Sequence, residues 1–112
     1  MRQAYLRVAK RLASRSINAY FQAEDQLVIS RQPDPAWANR GNSFWITYIE
    51  GQWYVGTWVP IHYKLPPNGD IVGLCAEFVD RGTAAQPTLP DDLISKYGLS
   101  HLTTEERDRF FG

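Results

Sequence analysis

"NSFWITYIEGQWYVGTWV" (residues 42–59) contains two runs of strand-forming residues separated by Glu50-Gly51. Aromatic and β-branched side chains favour strands, where successive side chains point to opposite faces of the sheet. Gly51 is able to adopt the positive φ that a tight hairpin turn requires. The stretch therefore predicts an antiparallel β-hairpin, around which the rest of the chain has to pack.

Large rings fall on both faces of this predicted hairpin. On each strand both alternating sets are apolar, so the pattern does not say which face is buried. Either the last third of the chain, residues 83–112, folds back over the second face, or that face is a contact surface, because large exposed apolar areas mark binding sites. We expect four of the rings to contribute to a partner-binding surface: Trp45, Trp53, Tyr54 and Trp58.

One further strand and four helices complete the predicted fold. Apolar spacing, capping residues and flanking Gly or Pro residues give their boundaries. Asp70 is placed to cap one helix, and Thr103 or Thr104 forms a capping box with Glu106 at the start of the last helix. The predicted elements are a helix from about Gln3 to Tyr20, a strand at 26–32, the hairpin, and helices within 70–82, 89–98 and 102–112.

These elements predict a two-layer α+β fold in the order α-β-β-β-α-α-α. A three-stranded antiparallel sheet needs one face covered, and the N-terminal helix and the second helix are the natural cover. A chain of 112 residues is the size of one domain, so we treat 1–112 as a single α+β domain. Residues 61–69, "IHYKLPPNG", are predicted to be an irregular loop.

Charge is unevenly distributed along a chain whose formal net charge is zero. Residues 1–23 carry +5 and no acid, and the remaining seven basic and twelve acidic residues sum to −5. This N-terminal composition also resembles that of an organellar presequence, but its strong apolar stripe favours a helix that packs on a sheet.

The single cysteine and the lack of a long apolar run lead us to expect a cytoplasmic protein that does not enter a membrane.

Catalytic and metal-binding patterns are sparse. His62 and His101 are far apart, and with one cysteine they give no metal-ligand spacing, so we expect no metal and no cofactor. Cys75 paired with His62 is the one nucleophile arrangement to consider. Cys75 lies on the apolar stripe of its predicted helix, which favours an inert buried thiol and no catalytic residue.

The sequence is also compatible with two alternatives to a protein-binding surface. The first is a small-molecule or enzyme pocket at the loop after the hairpin, where polar side chains gather and an acidic ligand would be favoured: Arg40, His62, Tyr63 and Lys64. The second is weak binding of single-stranded nucleic acid by the basic N-terminal helix. The order helix, three strands, helix over about residues 3–81 resembles double-stranded-RNA-binding domains, but "NGDIVG" (68–73) has an acid where those domains present lysines.

The sequence thus favours a small, non-catalytic protein-binding module that uses an aromatic hairpin face. Trp and Tyr are preferred at protein interfaces because they bury a large area at low entropic cost. The expected partner is another protein or a second copy of the chain. Nucleic acid is disfavoured, because most of the chain is acidic.

Overall fold

A computed structural model describes residues 2–24, 26–30, 44–56, 61–80 and 89–111. In this part of the chain the order of elements is α-β-β-β-β-β-α-α-β-α. The helices are α1 (Arg2–Ala13), α2 (Ile71–Asp80), α3 (Asp91–Lys96) and α4 (Thr104–Phe111), and the strands are β1 (Asn18–Ala23), β2 (Gln26–Ser30), β3 (Phe44–Ile49), β4 (Gln52–Gly56), β5 (Ile61–Lys64) and β6 (Ser100–His101).

The sheet is antiparallel, and its strands lie side by side in the order β1 to β6. The predicted hairpin is confirmed: β3 and β4 pair with Tyr48 opposite Trp53 and Ile49 opposite Gln52. The two turn residues, Glu50 and Gly51, have φ values of 51° and 79°. Positive φ at both central positions matches the right-handed twist of the flanking strands.

The α+β class with an antiparallel sheet is confirmed, but the prediction of three strands is wrong, because the described residues contain six. The additional strands are β1, β5 and β6. β5 occupies the predicted loop and pairs with β4 through a register shift between Val55 and Gly56; Pro66 and Pro67 follow the strand and so do not interrupt its pairing. Five strands, not three, now separate α1 from α2, so the element order no longer resembles that of double-stranded-RNA-binding domains.

The predicted first helix is too long by seven residues, because α1 ends at Ala13 and β1 begins at Asn18. Ser16 has a φ of 61°, and the N–H of Ile17 donates to the carbonyl of Leu12 at 3.0 Å. The N–H of Ser16 donates to the carbonyl of Ala13 at 3.0 Å. This pair of bonds is the Schellman motif, here with serine at the position that glycine usually holds. It turns the chain, so that Asn18–Ala23 pairs with β2.

The other predicted helices are confirmed within the described residues. Asp70 caps α2, because its carboxylate accepts from the N–H of Gly73 at 2.9 Å. The capping box of α4 is formed in both directions: the N–H of Thr103 donates to Glu106 at 2.9 Å, and the N–H of Glu106 donates to the Thr103 hydroxyl at 3.2 Å.

The core lies between the helices and one face of the sheet, which we call the inner face. Leu27, Ile46 and Val55 point from three adjacent strands to this face and are almost completely buried. They pack with apolar residues of α1, α2 and α3. α2 is buried nearly all round, as expected for a helix enclosed between α1, α3 and the sheet.

The opposite side of the sheet, the outer face, is covered in part by the C-terminal segment. Tyr54 and Leu102 are buried there, and Trp45 and Ile49 pack against them. The Tyr54 hydroxyl donates to Glu106 of α4 at 3.1 Å. Of the two explanations for a hairpin with rings on both faces, folding back of the C-terminal residues therefore accounts for Tyr54.

Candidate functional site

Tyr5 joins α1 to the edge of the hairpin. Its ring is 2% exposed, and its hydroxyl accepts from the backbone N–H of Tyr48 at 2.7 Å. The β2–β3 ladder does not extend to Tyr48, since its last pair is Leu27 with Ile46. A side chain of α1 thus satisfies a strand group that would otherwise lack a partner, and it fixes how closely α1 approaches Tyr48 and Trp53.

Between α1, the hairpin and the start of α2 lies an open cleft of about 380 Å³, which we call the α1 cleft. Trp53 is partly buried there, with its ring centroid 4.7 Å from that of Tyr48 and 5.4 Å from that of Tyr5. The apolar part of its lining comes from all three elements: Ala4, Val8, Tyr48, Trp53, Ile71 and Val72.

Three exposed cations, Arg7, Lys10 and Arg11, complete this lining, and we call them the cleft cations. They occupy helix positions i, i+3 and i+4, which lie on one side of α1. Within the described residues, none of them forms an ion pair. The cleft thus combines an aromatic and aliphatic surface with positive charge that is not ion-paired among the described residues.

An exposed leucine extends the apolar surface past the cleft cations. Leu6 is a large apolar side chain that is 51% exposed. It lines an adjoining depression of about 330 Å³ with Gln3, and this depression shares Arg7 and Lys10 with the cleft. The two concavities therefore form one continuous surface along α1.

The predicted partner-binding residues do not share one face. Trp53 points to the inner face and lines the α1 cleft, whereas Trp45 and Tyr54 point to the outer face. Tyr54 is 5% exposed and bonds to Glu106, and burial, followed by that bond, raises the pKa of its hydroxyl. Trp45 is partly buried, and Trp58 lies outside the described residues.

The second predicted site, at the loop after the hairpin, is not brought together by the described residues. Tyr63 packs toward the inner face, with its ring centroid 4.8 Å from that of His101. Lys64 points to the outer face and forms an ion pair with Glu106 at 3.0 Å. The backbone of His62 is part of β5, and Arg40 lies outside the described residues.

Cys75 is completely buried in α2, and this burial raises the pKa of its thiol far above the ordinary value. A thiol in such surroundings is a poor nucleophile. Among the described residues there is no cluster of three or more His, Cys, Asp or Glu side chains suited to a metal ion. None of the helices described is both long enough and apolar enough to cross a membrane.

Sequence reasoning identified the basic side of α1 and identified Trp53, but it did not bring them together. They are more than 40 positions apart in the chain, and no local pattern relates them. Tyr48 and Leu6 were missed as site residues. For Leu6 a signal exists: it is an aliphatic residue between Tyr5 and Arg7, outside the stripe formed by Tyr5 and Val8.

Comparison with known proteins gives no relative from which a function could be transferred: no protein-family model matches the chain, and no curated protein or solved structure matches it significantly.

Proposed function

We propose that this protein is a non-catalytic protein-binding module that contacts its partner through the α1 cleft. The observation that carries the proposal is the partly exposed Trp53 indole, set among apolar side chains and bordered by three cations that form no ion pair with any described residue. Trp, Tyr and Arg are the residues that contribute most to binding energy at protein interfaces.

The form of the surface favours a protein segment over a small molecule. Small-molecule pockets bury most of their ligand and place a few polar groups at fixed positions. The α1 cleft is open, its polar groups are the ends of long side chains, and its apolar surface continues to Leu6. An apolar centre with a polar, charged rim is the usual composition of a protein interface.

The proposal is tested by selecting binders from a displayed library of random peptides. The selected peptides are synthesised, and their Kd values are measured by fluorescence anisotropy for the native protein and for Trp53→Ala. We expect peptides that bind more tightly than about 100 μM and that lose at least about 30-fold in affinity with the variant. Failure to recover any such peptide, or equal binding to Trp53→Ala, would contradict the proposal.

Two further variants separate loss of contact from loss of fold. Trp53 packs against Tyr5 and Tyr48, so its removal also destabilises the domain. Leu6→Ala removes an exposed side chain and leaves the core intact, so it is expected to weaken the same peptides. Trp45→Phe, on the outer face, is the matched control, and we expect it to leave their affinity unchanged.

A further inference from the structure

The charge around the α1 cleft indicates the chemistry of what it binds. Among the residues that the structure describes, its lining contains three basic side chains and no acidic one. Two nearby acids have other partners: Asp70 accepts from the N–H of Gly73, and Glu50 pairs with Arg109. The cleft cations thus form no ion pair with the described residues, and an occupant of opposite charge would supply one.

We infer that the partner segment is acidic, with carboxylates that face the cleft cations on either side of an aromatic or aliphatic anchor packed beside Trp53. This inference rests on the proposed function and specifies its partner. The apolar lining accommodates the anchor, and the cations on the rim select the charge and speed the encounter.

An acidic protein segment fits the observations better than a nucleic acid does. Nucleic-acid sites present rings on which bases stack, whereas both Tyr5 and Tyr48 already pack against the Trp53 indole. Three cations in a protein of zero net charge make a short positive track for a phosphate backbone. Exposed Leu6 suits an aliphatic or aromatic side chain and offers no hydrogen bond to a base.

The test uses the composition of the selected peptides and a substitution within them. We expect enrichment of Glu and Asp on both sides of a Phe, Leu or Trp. Replacing each Glu by Gln in a synthesised peptide should weaken binding about tenfold at low salt, because exposed charge pairs are individually weak but three act together. Added salt should reduce this difference, since it screens exposed charges over about 10 Å.

A pair of variants with the same change in net charge locates the effect. Arg7→Glu with Arg11→Glu reverses two cleft cations and is expected to abolish the preference for Glu over Gln. Arg15→Glu with Arg107→Glu alters charge by the same amount at exposed positions outside the cleft, so it should retain the preference.

Other results would overturn the acidic partner alone or the proposed function with it. Neutral or basic peptides that depend on Trp53 would overturn the acidic partner and leave the proposed function standing, whereas the absence of Trp53-dependent peptides would overturn both. Two results would assign the cleft to another occupant and overturn the inference. One is tighter, Trp53-dependent binding of a single-stranded oligonucleotide, and the other is self-association in sedimentation equilibrium that is lost on reversing the two cleft cations.

Discussion

The two sides of the β3–β4 hairpin carry the same kinds of side chain and differ in how these are partnered. On the outer face, Tyr54 is buried, and both its hydroxyl and Lys64 bond to Glu106. On the inner face, Trp53 is partly exposed in the α1 cleft, and the cleft cations form no ion pair within the described residues. Because both faces carry aromatic side chains, aromatic content does not separate them. The cations beside Trp53, unpaired among the described residues, are the feature on which the proposed contact surface rests.

The largest effect expected on stability comes from Glu106→Ala, which removes the centre of the outer-face network. The substitution breaks the capping box and leaves Lys64 without its carboxylate. We expect the free energy of unfolding to fall by about 2–3 kcal/mol in chemical denaturation. Glu105→Ala, at an exposed neighbouring position, should cost less than about 0.5 kcal/mol. If the two variants are equally stable, the bonds of Glu106 do not stabilise the outer face.

Stability should also fall in acid because of the same carboxyl. The N–H of Thr103 is the main cause that lowers the pKa of Glu106, from 4.5 to about 2, and Lys64 and Tyr54 add to it. A carboxyl whose pKa is lowered by folding stabilises the folded state above pH 4.5, and this contribution is lost as the pH falls from 4.5 toward 2. We expect the loss to be about 2 kcal/mol after allowance for partial exposure to solvent.

Glu106→Gln provides the control for this pH dependence. Chemical denaturation at several pH values between 5 and 2 should show the native protein losing stability faster than the variant. Parallel curves would mean that the carboxylate of Glu106 is not held by its neighbours in the folded state.

A smaller effect is expected on the inner face for Tyr5→Phe. The ring is kept, but the backbone N–H of Tyr48 loses its acceptor. We expect about 1 kcal/mol of lost stability, since a buried donor is left unsatisfied. Because this bond sets the approach of α1 to the hairpin, the affinity of Trp53-dependent peptides should fall several-fold. An unchanged affinity would show that the cleft does not depend on this bond.

The smallest effect on stability is expected for Leu6→Ala. An exposed side chain contributes little to folding, so the free energy of unfolding should change by less than about 0.5 kcal/mol. The affinity of selected peptides should fall about fivefold, as expected when a few buried methyl groups are removed from an interface. Loss of stability without loss of affinity would place Leu6 in the structural part of the molecule.

Two helix ends show which parts of the fold the sequence could predict. After α3, Gly98 has a φ of 65°, and the N–H of Leu99 donates to the carbonyl of Ile94 at 2.9 Å. After α1, Ser16 adopts nearly the same conformation with the same kind of bond. The first end was predicted because glycine marks it, and the second was missed because serine rarely occupies that conformation.

The missed end of α1 accounts for one of the three strands that were not predicted. With α1 extended to Tyr20, no residues were left for β1. β6 has two residues, too few for an alternating pattern to be recognised. The hairpin, α2 and the α4 capping box were predicted correctly because each depends on contacts between residues that are close in sequence.

The candidate site could not be predicted as a whole for a related reason. The basic side of α1 and the ring of Trp53 are each visible in the sequence. Their meeting depends on the Tyr5 bond to Tyr48 and on where α2 begins, which are long-range features. Sequence alone also placed Trp45, Tyr54 and Trp53 in one group, although β4 directs Tyr54 and Trp53 to opposite faces.

The central claim, that the α1 cleft is the contact surface and the outer face is internal structure, is tested most directly by NMR. A ¹⁵N-labelled protein is titrated with a selected acidic peptide, and the indole N–H signals of Trp53 and Trp45 are followed with the backbone amides of α1 and α4. We predict that the Trp53 indole and the amides of α1 shift while those of Trp45 and α4 stay in place. Shifts confined to Trp45 and α4 would contradict the account.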